Sequence, residues 1–172
     1  MRTCGRSSLS GTKIRSPAQL ASLIAGLKVR GKRIVFTNGC FDILHHGHTR
    51  YLEAAKACGD VLVVGVNSDA SVKRIKGPRR PIVSQRDRAG VIAALASVDY
   101  VVVFSEDTPL KTIQRIKPDI LVKGSDWDKG KIVGADFVSA SGGSVIRIPL
   151  LQGRSTTNLI EKVAKTFSRQ RR

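Results

Sequence analysis

The sequence predicts an α/β domain built on a doubly wound parallel sheet, and three observations carry that prediction. Five short apolar runs rich in β-branched residues recur along the chain, at Ile34–Phe36, Val61–Val66, Tyr100–Phe104, Ile120–Val122 and Val145–Ile148. The first four are apolar throughout rather than alternating, and the fifth is broken only by Arg147, a pattern that marks strands buried on both faces. Amphipathic stretches near 48–58, 86–97, 109–117 and 132–141 separate them, long enough to be crossover helices. The expectation is a Rossmann-like sheet of about five strands with helices on both faces.

The elements follow in order. Ser16 and Pro17 supply a cap and a first turn for a helix whose Leu20, Leu23, Ile24 and Leu27 fall at helical spacing, with Gly31 as its stop. Gly39, Gly77-Pro78, Pro118 and Gly142-Gly143 punctuate the connections, and a last amphipathic stretch runs from 156 to 167. Residues 67–85 read as one long basic loop. Residues 1–15 read as a flexible basic segment, 16–167 as a single domain and 168–172 as a basic tail. No internal repeat stands out.

Thirty Lys and Arg against 13 Asp and Glu give a net charge of +17, and its placement matters more than its size. Residues 1–33 hold eight basic side chains and no acid, and residues 161–172 hold five against Glu161. So basic a chain attracts polyanions at low salt whatever its task, which leaves both a nucleic-acid binder and an enzyme of phosphorylated substrates open. With aromatics at 5%, a base-stacking surface is disfavoured, and no specific nucleic-acid partner is expected. No apolar run approaches the roughly eighteen residues of a membrane span, so no membrane insertion is expected. Cys4, Cys40 and Cys58 are odd in number and lack CxxC spacing. A disulfide framework and a zinc ribbon are both disfavoured, and a reduced, cytoplasmic protein is expected.

In doubly wound folds ligands sit beyond the carboxyl ends of the strands, so the loops after each run hold the candidate residues. The first reads TNGCFDILHHGH over Thr37–His48 and contains every histidine of the chain. Gly39 allows close backbone approach. His45 and His48, three apart where a helix should open, project to one side if that turn is helical. Imidazole N–H groups beside a helix amino end suit a phosphate. A metal site completed by Cys40 and Asp42 and a structural cluster are the alternatives, the first disfavoured by the positive helix end. The second loop gathers Lys73, Arg74, Lys76, Arg79, Arg80, Arg86 and Arg88 against Asp87. It reads as a mobile lid over phosphates or as a solvated face.

The apolar strand followed by G-x-F-D-x-x-H-x-G-H and a helix resembles the cytidylyltransferase-like nucleotidyltransferases, whose HxGH motif binds a nucleoside triphosphate. The resemblance continues in order over residues 33–167 through KRIKGPRRPI with SQRDR, LVKGSDW and GRSTTNLI. The fuller strings TNGCFDILHHGH, KGPRRPI, LVKGSDW and STTNLI are most similar to the branch of that family that transfers AMP from ATP to a heptose 1-phosphate. A branch using CTP and glycerol phosphate, or another small phosphorylated alcohol, is the alternative. Mg²⁺ arriving with ATP is the implied cofactor, and ATP with a sugar 1-phosphate the implied partners. A homodimer is compatible with the family.

The resemblance also implies roles. His45 and His48 would donate to the α- and β-phosphates, and Lys76 would bridge the attacking and transferred phosphates. Gly39, Cys40 and Phe41 would lay backbone beside the nucleotide. Cys40 is then a small loop residue rather than a nucleophile. Asp42 would pin backbone N–H groups or touch substrate, and Arg86 would bind ligand or tie the second loop down. Lys123, Gly124, Asp126 and Trp127 would contact the nucleoside, although a lone Trp is as readily a packing residue. Gly153, Ser155, Thr156 and Thr157 would cradle the triphosphate at the last helix start, where Ser155 also reads as a simple N-cap. Related members carry an Arg-Thr pair a few residues upstream. This chain has Leu150-Leu151-Gln152 there, with Arg154 as the substitute candidate.

Overall fold

The computed structural model describes residues 12–151, 153 and 155–168. The basic segment before Thr12, the tail after Ser168, and Gln152 and Arg154 lie outside the described residues. Five strands, β1 (Ile34–Gly39), β2 (Val61–Asn67), β3 (Tyr100–Phe104), β4 (Ile120–Gly124) and β5 (Ser144–Ile148), form one sheet in the order β3-β2-β1-β4-β5, all parallel. The helices are α1 (Pro17–Val29), α2 (His46–Lys56), α3 (Asp69–Lys76), α4 (Gln85–Ala94), α5 (Leu110–Ile116), α6 (Ala135–Ala140) and α7 (Thr156–Ser168), with a 3₁₀ turn at Lys129–Lys131.

The pleat sorts the strands' side chains into two cores, because successive residues point to opposite faces. Val35, Leu62, Val64, Val101, Ile120 and Val122 meet Leu52 and Ala55 of α2 and Ala89, Ile92 and Ala93 of α4. Ile34, Phe36, Val63, Val102 and Leu121 meet Leu20 and Ile24 of α1, Ile113 and Ile116 of α5 and Val138 of α6. This two-sided burial is why β1 to β4 begin as unbroken apolar runs. α1 opens as the sequence predicts, with a reciprocal capping box between Ser16 and Gln19. At the amino edge of the sheet Asp99 accepts from the Leu62 N–H and Lys56, and Asp119 from the Ile34 N–H and Lys28.

The strand order changes direction at β1, whose neighbours are β2 and β4. β1 pairs with β2 over its whole length, from Ile34↔Val61 to Gly39↔Val66. With β4 it pairs only at Val35↔Ile120 and Phe36↔Leu121. Beyond Phe36 the two strands part, and a crevice opens between their carboxyl ends. The Tyr51 hydroxyl from α2 bridges its base, 2.7 Å from Thr37 Oγ1 and donating to the Val122 carbonyl at 3.2 Å.

One expectation is corrected. Residues 67–85 are not a single loop, since α3 occupies Asp69–Lys76. The local chemistry explains it: the Ser68 hydroxyl caps the Ser71 N–H, Asp69 sits in the first turn, and Lys73, Arg74 and Lys76 sit in the last. Acid at the amino end and base at the carboxyl end both complement the helix dipole.

Candidate active site

The site is built from the β1–α2 turn outward. Phe41 takes a left-handed φ of 46°, uncommon for a residue with a side chain, and its ring is buried. A Cβ at Gly39 would stand 3.1 Å from that ring, so glycine here leaves Phe41 its place. The chain then enters α2 with His45 as an extended N-cap whose side chain makes no capping bond. The helix therefore begins at His46; the His48 N–H closes on the His45 carbonyl at 2.8 Å, and the amides of His46 and Gly47 precede that first intrahelical bond.

The turn brings His45 and His48 together, their rings stacked with centroids 3.9 Å apart and planes 23° from parallel. The Phe41 ring meets His48 edge-on at 5.5 Å. His48 Nδ1 is enclosed without a hydrogen bond among the described residues, which leaves Nε2 for any ligand. Burial first, and the neighbouring His45 second, pull the His48 imidazolium down to about 4, so the ring is neutral at neutral pH. His46, by contrast, is exposed.

Behind the histidines lies a network that ties three loops together. Asp42, fully buried, accepts from the Ile82 N–H at 2.9 Å, the Val83 N–H at 2.8 Å and Arg80 Nε at 2.6 Å. Burial alone would raise its carboxyl; these donors outweigh burial and hold it below the usual carboxylate range. Arg88, also buried, donates Nε to the Val83 carbonyl at 3.0 Å, Nη1 to the Cys40 carbonyl and Nη2 to Asp69 Oδ1 at 2.8 Å. One guanidinium thus joins the β1–α2 turn, the start of α3 and the segment entering α4. The Gln85 side chain adds a bond to the Asp69 N–H.

The sequence-predicted residues fall into this frame unevenly. Lys76, last residue of α3, is exposed, yet its charge reaches Cys40 together with those of Arg88 and Arg80. Burial pushes the Cys40 thiol up despite these cations, so it is not a thiolate nucleophile at neutral pH. Arg86 is exposed in the first turn of α4, and the tie across the loops is made by Arg88, which sequence reasoning missed. A signal was available: Arg88 lies one turn before Ile92, on the buried stripe of α4.

Lys123, Gly124, Asp126 and Trp127 border the far side of the crevice. The Lys123 ammonium donates to Asn38 Oδ1 across the gap between β4 and β1 and lies 5.4 Å from the centroid of the Trp127 ring. Burial pulls it down to about 8 against the attraction of Asp126 and Cys40. A Cβ at Gly124 would stand 2.4 Å from Asp126 Oδ1 and 3.0 Å from a Leu150 methyl, so glycine here lets the Asp126 carboxylate keep its position. Asp126 and Trp127 are exposed at the rim. At the start of α7 the Ser155 hydroxyl accepts from the Asn158 N–H, the cap expected from sequence, and the Thr156 hydroxyl donates to the Ile43 carbonyl at 3.4 Å. The amino end of α7 therefore stands against the β1–α2 turn, while Gly153 and Thr157 are exposed beside it.

Two helix amino ends, two stacked imidazoles and surrounding cations form an arrangement that can hold a chain of phosphates and stabilise charge growing on it. The chain belongs to the cytidylyltransferase-like family, whose model matches residues 36–141. Among known proteins it is 51% identical over 161 residues to the "Bifunctional protein HldE" of Geobacter metallireducens, covering 94% of this chain and 33% of that one. The protein of the same name from Syntrophotalea carbinolica is 52% identical over 156 residues, 91% of this chain and 32% of that one. The chain thus spans about a third of the length of the curated relatives it matches. A crystal structure of "the lipopolysaccharide core biosynthesis protein from Thermoplasma volcanium GSS1" superposes with a TM-score of 0.59 at 33% identity, over 72% of this chain and 100% of that one.

Proposed function

We propose that the chain transfers AMP from ATP to D-glycero-β-D-manno-heptose 1-phosphate, giving ADP-heptose for lipopolysaccharide core synthesis and releasing pyrophosphate. The observation that carries the reading is the stacked His45–His48 pair at the opening of α2, set against the amino end of α7. Its support in sequence is the likeness to proteins named HldE across nearly the whole chain. The reading places the enzyme in the cytoplasm.

In this mechanism an oxygen of the sugar phosphate attacks the α-phosphorus in line. The bond from that phosphorus to the bridging oxygen breaks, and pyrophosphate leaves with the electron pair. The attacking phosphate is already ionised at neutral pH, so no general base or covalent nucleophile is required. Catalysis is positioning plus stabilisation of negative charge. His45 and His48 donate to the α- and β-phosphate oxygens, and Lys76 bridges the attacking and transferred phosphates. The backbone of Gly39, Cys40 and Phe41 lines the nucleotide. Gly124, Asp126 and Trp127 border the nucleoside, with Asp126 accepting from a ribose hydroxyl. Gly153, Ser155, Thr156 and Thr157 cradle the terminal phosphates.

Among the described residues no cluster of three or more His, Cys, Asp and Glu is arranged to hold a metal. In this reading Mg²⁺ enters as part of the Mg–ATP substrate, and no residue is assigned to it.

The test is pyrophosphate release by the full chain with ATP or CTP against heptose 1-phosphate, other sugar 1-phosphates and glycerol 3-phosphate. The reading expects turnover with ATP and heptose 1-phosphate above every other pair. Preference for CTP with glycerol 3-phosphate would overturn it in favour of the cytidylyltransferase alternative.

A further inference from the structure

The sequence groups Lys123 with the nucleoside contacts; its surroundings point elsewhere. Lys123 is only 6% exposed, on the floor of the crevice that opens where β1 and β4 cease to pair. An ammonium has three hydrogens to donate and no lone pair to offer. Among the described residues Lys123 makes one hydrogen bond, to Asn38 Oδ1, and no carboxylate lies within ion-pair distance. Trp127 beside it offers only a ring face. A buried charge with donors to spare lacks solvation that a ligand can supply.

The donor pattern decides which ligand. Lys123 can only donate, so the Asn38 oxygen must face it, and the remaining atom of that amide, Nδ2, is a donor as well. The pair therefore presents hydrogens alone. The adenine edge carries an amino group next to its ring acceptor, and the ribose hydroxyls have the exposed Asp126 at the rim. Neither matches a buried, cationic, donor-only floor. A phosphate matches it, being all acceptors and anionic.

The nucleotide's own phosphates have the two helix ends. The acceptor's phosphate, which must come within in-line reach of the α-phosphorus beside His48, has only the exposed Lys76, which it shares with the transferred phosphate. Lys123 is placed for this, since the Asn38 that it bonds lies on β1 two residues before Cys40, where the chain enters the turn that presents the histidines. We propose that Lys123, oriented by Asn38, is the residue that binds the phosphate of the acceptor substrate on the floor of the β1–β4 crevice. The proposal rests on the nucleotidyl-transfer reading above but not on the identity of the sugar.

The test is steady-state kinetics of the full chain and its Lys123→Met and Lys123→Arg variants. The acceptor is whichever phosphorylated compound of the panel above the wild type turns over. Losing a charge-assisted bond should raise the KM for the acceptor about ten- to a hundredfold while leaving that for the nucleotide within about twofold. Lys123→Arg should recover part of the loss, and Asn38→Ala should give a smaller shift of the same kind. A raised nucleotide KM with an unchanged acceptor KM, or no change in either, overturns the assignment. If Lys123→Met does not fold, Asn38→Ala and Lys123→Arg carry the comparison. If the wild type turns over no pair in the panel, the functional reading fails on its own. Lys123 is then judged by calorimetric titration with inorganic phosphate: tighter binding by wild type than by Lys123→Met supports it, and equal binding overturns it.

Discussion

His48 starts from a neutral state, which has consequences in two directions. Its native value of about 4 lies below the ordinary 6.5. Between those values the unfolded chain holds more protons than the folded one, so this residue's contribution to stability is complete above 6.5 and is lost as the pH falls toward 4. A triphosphate works the other way, since its negative charge favours the imidazolium. Nucleotide binding near pH ~5.5 should therefore take up protons, read by calorimetry in buffers of different ionisation heat. No uptake would mean that His48 does not face phosphate. His48→Ala should retain its circular dichroism spectrum and lose about 100- to 1000-fold in turnover, the usual effect of removing one oxyanion donor. More than a tenth of wild-type turnover would remove it from that role.

At the scale of elements, the start of α3 and the segment entering α4 are fastened to the β1–α2 turn. Asp42 and Arg88 supply the fastening, and the neighbouring Arg86 does not take part in it. Arg88→Met should lower stability in urea by about 2 kcal/mol or more, because it leaves a carboxylate and two carbonyls without their donor. Arg86→Ala should change it by no more than about 0.5 kcal/mol. The reverse order would mean that the network is not what holds these loops. Much of this level is legible in the sequence. The first four apolar runs locate their strands because burial on two faces leaves them no polar positions, whereas β5, an edge strand only partly buried, keeps an exposed Arg147. The HxGH string points to the candidate site because a helix must open there. α3 escapes notice because its last turn holds three basic residues and resembles a solvated loop, although its Ser68 cap is plain. The buried role of Arg88 escapes because a basic residue within a basic run suggests solvent; its place on the apolar stripe of α4 hints at burial, but its acceptors come from three separate stretches of chain that only the fold brings together.

At the scale of the molecule, the charge and the chemistry separate. The ends of the chain carry a disproportionate share of the excess basic residues, whereas the candidate site draws on the middle. Deleting residues 1–10 and 169–172, which removes five arginines, should let the protein leave heparin at clearly lower salt while pyrophosphate release is retained. Loss of turnover with the deletion would place part of the site in those ends. The guanidinium of Arg88 bears on how this molecule can be re-engineered. Because it is anchored at once to the Cys40 carbonyl, the Val83 carbonyl and Asp69, no one of those stretches is a separable module. A chimaera that imports a new acceptor preference will have to transplant all three as a set, together with the arginine that laces them.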